Sequence, residues 1–458
     1  MNETAKPQDG ATGAHPRGLY FLAGTELWER FSFYGMQALL TLYMVKQLLL
    51  PEFAQHVWGL AALRDAAEGM FGPLGDVGFA SVIAGLYSGL VYFTPLLGGL
   101  IADQLLGAKR TVTIGVLLMS AGHLAMTFDL LFVVALVLLI LGSGLLKGNI
   151  SSQVGTLYPQ DDASMRDRGF AIFATGINIG AAAGPLVTGA VAAIWGWHAG
   201  FAVAAGLMLV ALATYLIGQK HLPDTPPRRH ADFQHPPLSK ADGKVVLALI
   251  AVILLTMPAE ITYPMVWTIG PIWVDSYVNL GFVPATWFGS MDSIGAIASA
   301  PLLVMFWASQ ARKRREPDSL GKMAIGTALV GVAALGLAAG SFIFPEKDSV
   351  PLIWAIACYF LMGVGWMYYW PTTLSLVSGV APRAVVATMV SGAFISPFIA
   401  HLAAGVIGIN FERMSPSAFW AMDGAIGLAG AVLLFALRPM LNRAMGTDKR
   451  KQAPENAF

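Results

Sequence analysis

Three ionisable side chains fall at positions i, i+3 and i+4 in Glu26-Leu27-Trp28-Glu29-Arg30, inside an apolar run from Leu19 to Leu50. On a helix this spacing puts all three on one face, with Tyr34 one turn beyond Arg30. A charge near the centre of a membrane-spanning helix costs about 2.5 to 3.5 kcal/mol, so the cluster must face a polar cavity rather than lipid. One carboxyl and the guanidinium would make an ion pair that fixes helix packing. The second carboxyl is surplus to that need, and it suits a site that exchanges a proton beside an Arg that holds an anion.

Other polar residues interrupt apolar runs further along. Lys147 lies within Gly142-Ser143-Gly144-Leu145-Leu146-Lys147-Gly148-Asn149; a lone Lys there needs a counter-ion or an anionic ligand, unless it snorkels to a helix end. Asn178 sits in Gly176-Ile177-Asn178-Ile179-Gly180, where small residues permit close helix contact and the amide can meet a ligand or a neighbouring helix. Glu260 lies between Pro258 and Pro264, which predicts a kink that frees backbone groups beside it. Asp292 follows Trp287-Phe288-Gly289-Ser290-Met291. Trp366, Tyr368, Tyr369 and Trp370 are dense enough to line an amphipathic cavity or gate, although an interfacial belt accounts for the last three as well. His123 and His401 are expected to be packed and hydrogen-bonded between helices, outside the site.

The elements that must hold these residues are membrane spans. Of 458 residues, 56% are hydrophobic and 12% charged, and the mean hydropathy is +0.64. Stretches of about 20 apolar residues, enough to cross a bilayer, fall near 18–49, 79–101, 111–129, 130–158, 169–194, 200–218, 244–275, 284–309, 319–343, 351–379, 385–409 and 417–440. Twelve spans put both termini on one side. With that side cytoplasmic, the inner loops and tails hold 22 of the 28 Lys and Arg residues and the outer loops three, in keeping with the positive-inside rule. The fold expected is an all-α polytopic membrane protein: a cytoplasmic tail over 1–17, a six-helix bundle over 18–218, a Pro-rich linker over 219–243, a second six-helix bundle over 244–440 and a cytoplasmic tail over 441–458.

Net charge is +1, so the basic loops follow from topology and no nucleic-acid partner is indicated. Cys358 is the only cysteine, which rules out an intrachain disulfide and argues against a cysteine metal site. The linker histidines, His221, His230 and His235, are expected in solvent rather than on a metal, and no cofactor is indicated. The first 18 residues lack an apolar h-region, so the first helix is expected to serve as an uncleaved anchor. The outer segment 51–78 reads as a partly ordered surface loop. Short echoes join the two halves, Pro95-Leu96-Leu97 with Pro301-Leu302-Leu303 and Gly142-x-Gly144 with Gly363-x-Gly365, as expected of two related bundles with a site between them.

The loop Gly98 to Arg110 resembles the signature of the major facilitator superfamily, with Asp103, Lys109 and Arg110 in place and Gln104 where an Arg is usual. Within that superfamily the chain resembles the proton-dependent oligopeptide transporters over nearly all of 18–440. The resemblance rests on E-x-x-E-R-F-x-x-Y-G at Glu26 to Gly35, G-x-x-K-x-N-I-S at Gly144 to Ser151, V-G-T-L-Y-P at Val154 to Pro159 and R-D-R-x-F-x-I-F-x-x-G-I-N-x-G at Arg166 to Gly180.

It implies a major facilitator fold and a proton-coupled symporter that imports di- and tripeptides across the cell membrane. Glu26, Glu29 and Arg30 would couple protons, Arg30 and Lys147 would receive the peptide carboxylate, and Asp103, Lys109 and Arg110 would belong to a cytoplasmic gate. Tyr34, Tyr92 and Asn178 would line the peptide site, with Trp287 nearby. Two departures bear on substrate. Gln37 stands where many members have an Arg, and Trp366 stands where members commonly have the Glu that receives the peptide's amino group. Asp292 can supply that negative charge from another direction. The alternatives are a transporter of another small zwitterion, such as an amino acid or modified peptide, and a transport-inactive receptor of the same fold. An intramembrane enzyme lacks support in any nucleophile or metal motif.

Overall fold

The computed structural model describes residues 15–159, 162–224, 226, 239–382 and 384–447. The tails, most of the linker with His230 and His235, and Arg383 lie outside these residues. Twelve helices of 18 residues or longer occur among the described residues: α1 (Arg17–Tyr43), α2 (Asp76–Ile101), α3 (Ala108–Ala125), α4 (Phe132–Thr156), α5 (Ala163–Trp195), α6 (Trp197–Gly218), α7 (Lys240–Thr262), α8 (Met291–Arg312), α9 (Ser319–Ile343), α10 (Leu352–Val380), α11 (Val386–Gly408) and α12 (Pro416–Met445). Ten are long and apolar enough to cross a membrane. The other two are α1, which carries the charged cluster, and α3, whose 18 residues open with Ala108-Lys109-Arg110.

Helix starts follow local chemistry. Ser415 accepts the Ala418 N–H at 3.3 Å before α12, Asp318 accepts that of Gly321 at 2.8 Å before α9, and Ser239 with Asp242 forms a reciprocal cap on α7. The segment expected as a loop after α1 is instead partly helical, Pro51–Ala54 and Leu60–Phe71. Arg64 pins the second piece by donating to Glu68 at 3.0 Å and Asp76 at 3.1 Å. The kink expected near Glu260 is a full break: α7 ends at Thr262, and the chain continues as Met265–Thr268 and Gly270–Tyr277, with Pro264 and Pro271 at the joints. The eighth span begins at Ala285, close to the expected 284, with its first six residues, Ala285–Ser290, wound as a 3-10 helix before α8 takes over at Met291.

The helices form two groups of six. One core draws on residues 19–222 with only Ile409 from the second half, and another lies wholly within 248–445. A third combines second-half residues with Ala38 and Leu42 of α1, so it joins the groups. It lies towards the far end of the molecule, opposite Arg17 and Met445. There α2 and α11 meet backbone to backbone: a Cβ on Gly85 would stand 2.6 Å from the His401 carbonyl oxygen and 2.7 Å from Gly405 Cα, a contact only glycine allows. Phe93 and Phe398 pack with ring centres 5.0 Å apart and planes tilted by 35° further down the same seam.

The glycine echo between α4 and α10 recurs with its partners exchanged. Gly142 abuts α3 at Gly115 and Met119, and Gly144 abuts α2 at Thr94. Gly363 abuts α8 at Asp292 and Ala296, and Gly365 abuts α9 at Gly326 and Val330. The close approach of α2 to α4 is reinforced by Asn149, whose Nδ2 donates to the Gly98 carbonyl at 3.1 Å. It sets the height of Lys147, two residues earlier on the same helix.

Candidate functional site

A cavity lies between the two groups of helices. Seven of the nine residues expected to meet a substrate line it: Tyr34, Tyr92, Lys147, Asn178, Glu260, Asp292 and Trp366. Its charges are sorted by half. Lys147 projects from α4 in the first half, while Glu260 and Asp292 come from α7 and α8 in the second.

Lys147 does not snorkel. Its Nζ stands 4.5 Å from the Phe33 ring centre and 5.7 Å from that of Tyr92, and it takes part in none of the ion pairs among the described residues. Aromatic faces attract an ammonium without neutralising it, so this cation remains available to an anion. Phe33 also faces the Arg30 guanidinium at 5.4 Å.

Arg30 is placed differently from the expectation. Its Nε lies 2.9 Å from Glu26 Oε1 and 2.5 Å from Glu29 Oε2, all three residues are buried, and none of them lines the cavity. The arrangement is charge against charge with incomplete hydrogen bonding, because Glu26 Oε2, Glu29 Oε1 and Arg30 Nη2 have no partner. Two acids compete for one cation, so protonating either leaves the other pair intact. Arg30 is thus occupied within its own helix, and Lys147 rather than Arg30 is the cation that lines the cavity.

The two acids on the opposite wall differ in their partners. Asp292 Oδ2 accepts from Tyr263 Oη at 2.5 Å and from Trp267 Nε1 at 3.3 Å. The break after Thr262 is what brings Tyr263 and Trp267 to it. Glu260 Oε2 accepts from Ser396 Oγ of α11 at 2.5 Å, which links α7 to the helix that seals against α2. Trp366 stacks on Tyr263 at 6.4 Å, with 26° between planes, so the aromatic stretch of α10 does contribute to the cavity and the expected acid is replaced by a flat apolar wall.

Two placements correct the sequence reading. Trp287 does not line the cavity; it belongs to the 3-10 helix that leads into α8 and faces Gly189 of α5. His401, assigned outside the site, lines the cavity and packs 4.9 Å from the Tyr92 ring. Phe33, Tyr263 and Trp267 were not singled out either, although the Pro264 break was a signal for the last two. His123 is buried with neither ring nitrogen partnered and stays away from the cavity. In the signature loop, Asp103 and Arg110 are exposed, while Lys109 Nζ reaches Asp224 Oδ1 at 2.6 Å. That hydrogen bond and the Lys109 charge hold the Asp224 carboxyl below the usual carboxylate range.

A family model described as the POT family matches residues 109–236 and 239–417. A di-/tripeptide transporter of Lactococcus lactis subsp. lactis (strain IL1403) is 29% identical over 96% of this chain and 98% of its own. The peptide transporter YePEPT of Yersinia enterocolitica is 28% identical over 96% and 97%. Among solved structures, a point mutant of a peptide transporter POT in complex with alafosfalin superposes with a TM-score of 0.82 at 27% identity, over 96% of this chain and 97% of that one.

Proposed function

The chain belongs to the POT family, and on that premise we propose that it is a proton-coupled symporter that carries di- and tripeptides by alternating access, with the substrate held between the two groups of helices. The observation that carries the reading is the sorting of charge across the cavity, a free ammonium on one half and two carboxyls on the other. A zwitterion spanning it has its carboxylate on Lys147 and its ammonium towards Asp292, and so ties the halves together.

Protons enter through Glu26 and Glu29. Neutralising one loosens its hold on Arg30, changing the charge behind Phe33 and Lys147 as the halves rock. We infer a cell-membrane protein with both termini cytoplasmic, bundles over 18–218 and 244–440 and the linker over 219–243, a reading that the apolar helices and the positive-inside pattern support. The far end then faces outside, and Asp103, Lys109 and Arg110 lie at the inner gate.

Trp366 favours a second reading within the same class. A site that receives the amino group on Asp292, with an indole wall where an acid is expected, also suits another small zwitterion, such as an amino acid or a modified peptide. Uptake of labelled dialanine into proteoliposomes under an inward proton gradient separates the two, with free alanine and acetylated dialanine as competitors. Gradient-driven uptake blocked by free peptides alone is the expected result; absence of uptake overturns the peptide reading.

A further inference from the structure

His401 lies on α11, three residues beyond Phe398, which packs on Phe93, and four beyond Pro397. Its Nδ1 is 2.7 Å from the Pro397 carbonyl oxygen. A carbonyl only accepts, so in the neutral ring the proton sits on Nδ1, and Nε2 carries a lone pair. The imidazole packs against Tyr92, and Tyr92 in turn faces the Lys147 ammonium. The ring is therefore fixed by a backbone bond on one edge and an aromatic contact on its face, one residue away from the free cation.

The two carboxyls of the cavity already accept hydrogen bonds, whereas His401 Nε2 accepts none from the described residues. Asp292 answers to Tyr263 and Trp267, and Glu260 to Ser396. In a peptide whose carboxylate meets Lys147, the nearest donor is the N–H of the last peptide bond, separated from the carboxylate carbon by one Cα. His401 and Lys147 both flank Tyr92, which puts the Nε2 acceptor on the side of the cavity where that N–H would lie. An amino acid bound in the same way presents an ammonium there instead, and an ester analogue presents no hydrogen at all.

We propose that His401 Nε2 accepts the N–H of the substrate's C-terminal peptide bond and makes the cavity selective for a peptide over its ester analogue. The inference rests on the peptide reading above. A site built to receive a hydrogen is left with an unpaired buried acceptor when the hydrogen is missing, which is a stronger discriminator than shape alone.

The test uses the full chain in proteoliposomes and two zwitterions of equal size, dialanine and alanyl-lactate, whose ester oxygen replaces the peptide N–H. Each is measured as a competitor of labelled dialanine, and the ratio of their inhibition constants is compared between the wild type and His401→Phe, which keeps an aromatic face against Tyr92. The expected result is a preference for dialanine that is about threefold to tenfold larger in the wild type than in His401→Phe, with His401→Gln, whose side-chain carbonyl can accept, recovering part of it. An equal ratio in wild type and His401→Phe overturns the inference and leaves the peptide reading standing. A wild-type ratio near one overturns it without any variant. Failure of the wild type to take up dialanine overturns the peptide reading itself, and the inference with it.

Discussion

Lys46, just past the end of α1, meets Asp275, in the segment after α7, with 2.5 Å between Nζ and Oδ2. A second carboxylate crosses the same boundary at the same end: Glu412, after α11, accepts the N–H groups of Val77 and Gly78 at 3.3 and 3.2 Å and so caps α2 from the other half. Both ties hold the far end shut over the cavity.

Asp275→Asn is expected to loosen that end. The pair is partly exposed, with side chains 46% and 24% accessible, so it contributes only about 0.2 to 1 kcal/mol. With Cys358 replaced by Ala and a single Cys introduced at cavity-lining Ser88, labelling by a membrane-impermeant thiol reagent from the far side should rise about twofold to fivefold. An unchanged rate would show that the pair does not restrain opening.

Lys147 and Arg30 are expected to separate when each is removed. Lys147→Ala takes away the free cation, and a charge-assisted contact of about 1.5 to 3 kcal/mol corresponds to a half-saturation constant for dialanine raised roughly tenfold to a hundredfold. Arg30→Ala instead leaves two buried carboxyls without their cation, so it should abolish proton-driven accumulation. Equal effects of both substitutions on equilibrium binding would return Arg30 to the substrate site.

Glu29→Gln removes one acid from the competition for Arg30 while keeping the shape of the side chain. Uphill accumulation driven by a proton gradient should disappear, while exchange of labelled for unlabelled peptide across the membrane continues. Full gradient-driven uptake by this variant would exclude Glu29 from coupling. Glu26→Gln is the matched control, because its carboxyl contacts the same Nε.

Asp292→Asn tests where the amino group goes. If the ammonium is received there, free dialanine should weaken by tenfold or more on the scale of a lost charge-assisted hydrogen bond, and acetylated dialanine should change little. A uniform loss for both would point to disturbed packing of Tyr263 and Trp267 instead.

Much of this was readable from residue types. Charges within apolar runs pointed to Lys147, Glu260 and Asp292, because a charged group in a spanning helix has few places to go, while Tyr34, Tyr92 and Asn178 came from the family resemblance and Trp366 from the density of aromatics in its helix. Charge in α1 and brevity in α3 did not hide the count of twelve, since loop charge supported it independently. What escaped was set by tertiary geometry. Trp287 looked helical by hydropathy and is, but the tighter 3-10 winding after Pro284 directs it to α5 rather than to the cavity. His401 looked like packing, because nothing local reveals that α11 runs beside the cavity. Arg30 was placed with the substrate because spacing shows which residues share a face but not whether two neighbours will occupy the same nitrogen.

The backbone contact at Gly85 and Gly405 has a consequence for how the far end yields. Dispersion between touching atoms decays within a fraction of an ångström of separation, and this contact has no flexible side chain to stretch and keep a partial hold. It behaves as a snap fastener, fully engaged or fully parted, so intermediate openings gain nothing from it. Being uncharged, it is also indifferent to ionic strength. Any salt dependence of the opening step therefore has to come from the exposed Lys46–Asp275 pair and the Glu412 cap, and a rise in salt should shorten the closed dwell without softening the seam itself.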